Sequence, residues 1–286
     1  MQHDHSFGEL RGRLDHAFRP PLALRDKVVL SRISHGEHLC TQAAGVGIKY
    51  VACGTEYYSF GGRTHAVGAG QFLLVSQSLA SEVEVRKTGT ETLGLCLFLK
   101  AAMPAEEPDP ILLSPLIFSD RCSRLGTLLA GALADFLRPG CERPKVAVAL
   151  LADVRSNLDS LVADTVTEFT SLGHVRASTR FESLRRLHRA RGYLHEVLGR
   201  SVELSELASV CGISRFQLLR QFKECFGETP AAYHRRLRLE LARDAIEREG
   251  LSCSETAYRY GFASGSSLSH AFRRYFNEAP VRVRRL

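Results

Sequence analysis

Between Asp26 and Lys100, apolar residues fall in short alternating or continuous runs: Val28–Ile33, Gly47–Cys53, Thr55–Phe60, His65–Val67, Gln71–Val75, Glu82–Arg86 and Thr92–Leu99. Period-two runs divided by glycine predict β-strands, and Gly61-Gly62 predicts a hairpin between two of them. Many short strands with frequent turns imply a sandwich or a small barrel. Ala101 to Asp120 carries four prolines and reads as a connector. Beyond it the spacing turns helical. Cys122, Leu125, Leu128, Leu129, Ala132, Leu133 and Phe136 share a helix face that Pro139-Gly140 terminates. A second helix, starting after Pro144, carries Ala147, Leu151, Val154, Leu158, Leu161 and Thr165 as a stripe of period 3.5. Such a stripe packs either on its own sheet or against its copy in another subunit.

The last third of the chain repeats itself. In Ser201 to Phe226, Leu204, Leu207, Ala208 and Cys211 form one short apolar face. Gly212 interrupts it, and Ser214 can cap a second helix with Leu218, Phe222 and Phe226 as its apolar face. Two short helices joined by a tight turn, with a small residue where they cross, make a helix-turn-helix. The same pattern returns in Glu255 to Phe276: Ala257 and Gly261 repeat Ala208 and Gly212, Phe262 repeats Ile213, and Leu268 and Phe272 repeat Leu218 and Phe222 with one extra residue in the turn. Pro230 and Pro280 each lie eight residues past the matched phenylalanine. One such match is weak, since any two amphipathic helices can produce it; two in register specify an architecture.

On the expected exposed face of the first unit stand Arg215, Phe216, Gln217, Arg220 and Gln221. Arg and Gln can bridge base edges bidentately, and Phe can meet a thymine methyl. The matching face of the second unit offers Ser266, Ser267, Ser269, His270 and Arg273, mostly shorter side chains suited to phosphates. A helix over 231–249 joins the two units; its Arg235, Arg236 and Arg238 read as contacts to the nucleic-acid backbone or as solvated charges.

Residues from about Leu184 to Arg285 resemble the DNA-binding domain of the AraC/XylS family of bacterial transcription regulators. The resemblance is carried by Leu207-Ala208, Gly212, Ser214, Leu218, Arg220, Phe222-Lys223, Gly227 and Thr229-Pro230, then by Ala257, Gly261-Phe262, Ser264, Leu268, Phe272 and Pro280. Asn277 departs from the usual glycine, mildly, because Asn tolerates the left-handed conformation. A looser similarity, through GGRTHAVGAGQFLLVS, links the β region to the cupin-like sensory domain of such regulators.

The resemblance implies a division into an N-terminal arm (1–25), a cupin-like β-barrel sensory domain (26–118), a two-helix dimerisation segment (119–171), a linker (172–180) and an all-α DNA-binding domain (181–286). The last holds helix-turn-helix units at about 201–226 and 252–276. The implied partners are promoter DNA, RNA polymerase, a small-molecule effector and a second copy of the chain. An arm of this kind folds over bound ligand in some members. Tyr50, Tyr57, Tyr58, His65 and Gln77 are the candidate polar contacts for an effector in the barrel.

Charge agrees with a nucleic-acid partner. Residues 176–286 hold 21 Lys and Arg against 12 Asp and Glu, a net of +9; the remainder holds 17 against 19, a net of −2. No apolar run approaches the roughly 20 residues of a membrane span, and the first twenty residues lack a signal peptide's apolar core, so a cytoplasmic protein without a membrane partner is expected. None of the eight cysteines forms a C-x-x-C pair, and no H-x-H pair stands in the β region, where His35, His38 and His65 are separately placed. A zinc site, a metal-dependent cupin enzyme and a zinc-bearing repair methyltransferase are therefore disfavoured, and no metal, cofactor or catalytic residue is expected. The remaining alternative is a constitutive DNA-binding protein whose barrel only dimerises.

Overall fold

A computed structural model describes residues 6–14, 26–40, 45–76, 81–86, 91–100, 114–174 and 176–280. It divides into two compact units, Met1–Thr167 and Glu168–Leu286.

The first unit is built on nine strands: β1 (Phe7–Leu14), β2 (Lys27–Cys40), β3 (Val46–Cys53), β4 (Thr55–Phe60), β5 (Arg63–Gly68), β6 (Gln71–Ser76), β7 (Ser81–Val85), β8 (Thr92–Leu99) and β9 (Leu116–Ser119). They form one curled sheet in the order β5-β4-β7-β2-β8-β3-β6-β9, with β1 beside β2. Every pairing is antiparallel except β1 with β2. The long β2 serves two neighbours in turn, β8 along Lys27–Ile33 and β7 along Gly36–Cys40. The sheet is a nearly closed, cupin-like barrel. Its core gathers Ile33, Val51, Tyr58, Phe60, Val67, Leu73, Val83 and Val85 from six strands, with Leu10, Val75 and Ile117 packed against them.

Two of these strands depart from the sequence reading. Phe7–Leu14 lies within the stretch expected to be an irregular arm, yet it pairs with β2. Leu116–Ser119 lies within the expected connector, yet it pairs with β6. β9 has only four residues, and β1, though eight long, does not alternate (FGELRGRL), so neither reveals itself without its partner strand.

A 3-10 turn (Asp120–Cys122) leads into α1 (Arg124–Leu137), capped by Ser123, and then α2 (Arg143–Ser171). Phe7 stacks on Phe136 of α1 at 5.3 Å between ring centroids. On α2, Arg155 grips Asp26 with two hydrogen bonds of 2.6 Å, and Arg143 pairs with Glu9 at 3.1 Å. Burial opposes ionisation of Asp26, but Arg155 and the Lys100 backbone N–H outweigh it and hold the carboxyl below its ordinary range. The α2 stripe is already buried in the single chain, with Ala147 and Val154 at 0% exposure and Leu158 and Leu161 below a tenth. These stripe residues are thus covered within the single chain.

The second unit is helical: α3 (Ala177–Glu196), α4 (Leu204–Cys211), α5 (Arg215–Phe226), α6 (Pro230–Arg248), α7 (Cys253–Arg259) and α8 (Gly265–Phe276). Local chemistry fixes the boundaries. Ser214, Thr229, Ser252 and Ser264 each accept a backbone N–H at a helix start, and Pro230 occupies the first turn of α6. Leu184, Leu187, Leu207, Leu218 and Phe222 are buried around the first helix pair. Leu239, Ala242, Ala245, Ala257, Tyr260, Leu268 and Phe272 form a second cluster under α7 and α8.

Candidate nucleic-acid interface

The pairs α4–α5 and α7–α8 are the two helix-turn-helix units, and the turns explain their geometry. Gly212 ends α4 at φ 65, and the Ile213 N–H returns to the Ala208 carbonyl. In the second unit the Phe262 N–H returns to the Ala257 carbonyl in the same way, past Gly261 at φ 66. Ala208 and Ala257 are both buried at the crossing, where a larger side chain would hold the helices apart. Gly227 and Asn277 close α5 and α8 in the left-handed conformation, so Asn277 does what the sequence reading expected of it.

Of the predicted DNA-facing residues on α5, Arg215, Phe216 and Arg220 are exposed, Phe216 at 77%, and Gln217 is half-buried. Arg220 is held only loosely, 3.9 Å from Glu224, so its guanidinium is available. Leu219 lies beside it at 40% exposure. On α8, Ser266, Ser267, His270 and Arg273 are exposed and Ser269 is half-buried.

Gln221 is the exception. It was expected on the exposed face, but it is 1% exposed and turned inward, 2.7 Å from the His174 ring. The period contained the warning: Gln221 stands three residues after Leu218 and one before Phe222, at the border of the buried face. Its polar side chain concealed that position.

The arginines of α6 also have settled roles. Arg238 is buried and donates to the Tyr260 and Gly261 carbonyls at 3.2 and 3.1 Å, its guanidinium 4.9 Å over the Phe262 ring. It ties α6 to the end of α7 and is neither a phosphate contact nor a solvated charge. Arg236 pairs with Glu228 and Glu240; Arg235 remains exposed. At the entry to the first unit, Arg200 and Tyr193 both bind Glu206 at 2.5 Å, and these bonds pull its carboxyl down to about 2.

In the barrel, the candidate effector contacts do not converge. Tyr50 is buried and its hydroxyl donates to Asp120, 3.0 Å away. Tyr57 lies under the Arg86 guanidinium at 4.0 Å. Tyr58 belongs to the packed core, where Phe60 meets His65 at 6.0 Å. Gln77 lies outside the described residues. The structure instead reveals a polar set that sequence reasoning missed. Lys49 Nζ lies 2.7 Å from Ser31 Oγ, 3.1 Å from Cys96 Sγ and 3.2 Å from Glu56 Oε1. Glu56, fully buried, also accepts from Tyr58 and Thr92. Burial pushes the Cys96 thiol up, so it stays protonated beside the ammonium. Lys49 alternates with Ile48 and Tyr50 along β3, and both faces of that strand are covered there. Among the described residues, no three His, Cys, Asp or Glu side chains converge as a metal site requires, and no helix is long and apolar enough to cross a membrane.

Two helix-turn-helix units with their second helices bared on a basic domain define a tandem nucleic-acid-binding module. The family model described as "Helix-turn-helix domain" matches residues 207–286. The probable transcriptional regulator LumQ of Photobacterium leiognathi is 37% identical over 90 residues, which cover 32% of this chain and 36% of that protein. The HTH-type transcriptional activator RhaS of an Enterobacter species is 31% identical over 137 residues, covering 46% of this chain and 49% of RhaS. The chain thus spans at most about half the length of these relatives. A solved regulator with an AraC-type DNA-binding domain, from Chromobacterium violaceum, is 30% identical over 35% of this chain and 88% of its own, with a TM-score of 0.33. Over its C-terminal unit the chain is thus similar to helix-turn-helix transcription regulators, and residues 207–286 match the helix-turn-helix family model.

Proposed function

We propose that the protein is a sequence-specific transcription regulator that works in the cytoplasm on promoter DNA. The observation that carries this reading is the pair of helix-turn-helix units with Arg215, Phe216 and Arg220 bared on α5. Phosphate contacts from Arg273, the serines of α8 and the helix N-termini set the register; Phe216, Gln217 and Arg220 read bases. RNA polymerase is the further partner proposed at the promoter. The test is selection of duplexes from a random-sequence pool by the full chain, followed by footprinting. The expected product is a two-part site with its halves about 10 base pairs apart, bound less tightly as salt rises. A pool that shows no enrichment would refute the reading.

The finer proposal is control by a small molecule held in the barrel. The Lys49–Glu56 pair supports it, because two buried charges cost desolvation that apolar side chains of the same size would not. The packed apolar core favours the rival, a constitutive DNA binder with an inert barrel. Native mass spectrometry of the protein taken from its own cells separates them: a retained small-molecule mass that dissociates on denaturation supports the sensor. The proposal does not include a dimer formed through the α2 stripe, since that stripe is buried.

A further inference from the structure

Where the chain enters the second unit, it runs against the first recognition helix. Glu168, on the last turns of α2, accepts from His188 at 2.6 Å and Arg191 at 2.7 Å. Burial alone would keep this carboxyl neutral, but the hydrogen bond from His188 and the charge of Arg191 prevail and hold it ionised, below its ordinary range. The Cys225 thiol, on α5, points to the Glu168 backbone carbonyl at 3.8 Å. Six residues beyond Glu168, His174 Nε2 lies 2.9 Å from the Ser183 hydroxyl of α3 and accepts from the Gln221 amide of α5 at 2.7 Å. Between these two ties Leu172 is 1% exposed.

The second tie comes at a cost. Gln221 Oε1 is buried without a hydrogen-bond partner, and an apolar side chain there would leave nothing unsatisfied. What the amide supplies is direction: a bond from the recognition helix to a residue outside the helical bundle. Gln221 follows Arg220 directly and lies one turn beyond Gln217 on the same helix, so any rotation of α5 that frees it also turns the proposed base-reading face.

We propose that Glu168–His174 is a clasp on α5, with His174 and Gln221 as positioning residues for DNA reading. Docked, the segment holds the helix in the rotation that reads bases; released, it leaves the helix free to turn, and the unit binds DNA with less discrimination. The clasp sits where the chain arrives from the first unit, so the state of this short segment is a control point for DNA binding. This inference builds on the DNA-binding reading above.

The experiment uses the full chain and its His174→Leu, His174→Gln and Gln221→Leu variants. Hydrogen exchange of the DNA-free proteins tests the clasp itself. The two Leu variants should exchange faster across α5 and unchanged across α8, and His174→Gln, which keeps an acceptor near the Nε2 position, should restore protection. Binding is then measured to a duplex selected by the wild-type chain and to a random duplex. The Leu variants should lose roughly two- to thirtyfold on the selected duplex, the range for residues that couple without touching ligand, with little change on the random one. His174→Gln should bind like wild type. Unchanged exchange in α5, equal loss on both duplexes, or no rescue by Gln would each overturn the clasp. If wild type selects no duplex, the DNA-binding reading fails, and the exchange data still decide whether the segment restrains α5.

Discussion

The two helix-turn-helix units share a fold and differ in what their turns and surfaces demand. Both turn on a glycine at almost the same φ, 65 and 66. A Cβ added to Gly212 would meet nothing within 4 Å, whereas at Gly261 it would fall 2.4–2.5 Å from the backbone of Gly199 and Arg200. The first turn needs glycine for its conformation alone; the second needs it for conformation and for close packing. The recognition helices differ in the opposite sense. Helix α5 bares long, multidonor side chains, and α8 bares hydroxyls, His270 and Arg273. The contrast is that the second turn is the more tightly packed, while the first recognition helix bares the longer side chains to which the proposed function assigns base reading.

The largest expected effect tests the building. Gly261→Ala should destabilise by about 3 kcal/mol or more, because backbone strain and overpacking add. Gly212→Ala should cost about 1–2 kcal/mol, the strain alone. Denaturant unfolding of the two variants decides it; equal losses would erase the contrast. Next comes the anchor of the second unit. Arg238→Ala leaves the Tyr260 and Gly261 carbonyls without their buried donor and should cost about 1–3 kcal/mol. Hydrogen exchange should quicken in α7 and α8 and stay as it was in α4 and α5. Uniform quickening would mean that the two units unfold together.

The reading contrast is of similar or smaller size. Arg220→Ala should lose about 1–3 kcal/mol on the selected duplex and much less on random DNA, as expected for one bidentate contact to guanine. Arg273→Ala should weaken both about equally, as a phosphate contact does. The reverse pattern would exchange the roles of the two helices.

The smallest effect comes from acid. Burial, aided by nearby arginines, holds His188 and His234 below their ordinary value of 6.5. The unfolded chain therefore takes up protons first, and stability present above pH 6.5 is lost as pH falls through that value. Glu168, held below 4.5, adds a second loss at lower pH as it is forced to protonate. His188 lies on α3, and His234 bonds to the Val197 carbonyl ahead of α4. The core under α7 and α8 contains no histidine among its described residues. A falling urea midpoint from about pH 7 to about 5, with exchange quickening first in α3 to α5, is the expected result. A flat midpoint would show that both rings protonate freely.

By itself the sequence determined the two helix-turn-helix units to within a few residues, the first half of β2, the six strands from β3 to β8 and the helices α1 and α2. These follow from local rules: a period of two or 3.6, a serine at each recognition-helix start, and a glycine or asparagine where the chain must turn left-handed. It also placed Arg215, Phe216 and Arg220 outside, because an apolar stripe at 218 and 222 leaves them nowhere else to point. Four things were settled by tertiary structure alone. Strands β1 and β9 exist because β2 and β6 offer open edges, which no local pattern records. The α2 stripe is buried in its own chain, an outcome that its period alone does not distinguish from pairing with a twin. Lys49 is internal because both faces of β3 are covered. Gln221 and Arg238 are internal because His174 takes the Gln221 amide N–H and the Tyr260–Gly261 carbonyls take an Arg238 guanidinium N–H, partners far from them along the chain. A polar side chain can be buried wherever a distant partner makes up for lost water, and a one-dimensional pattern carries no trace of that partner.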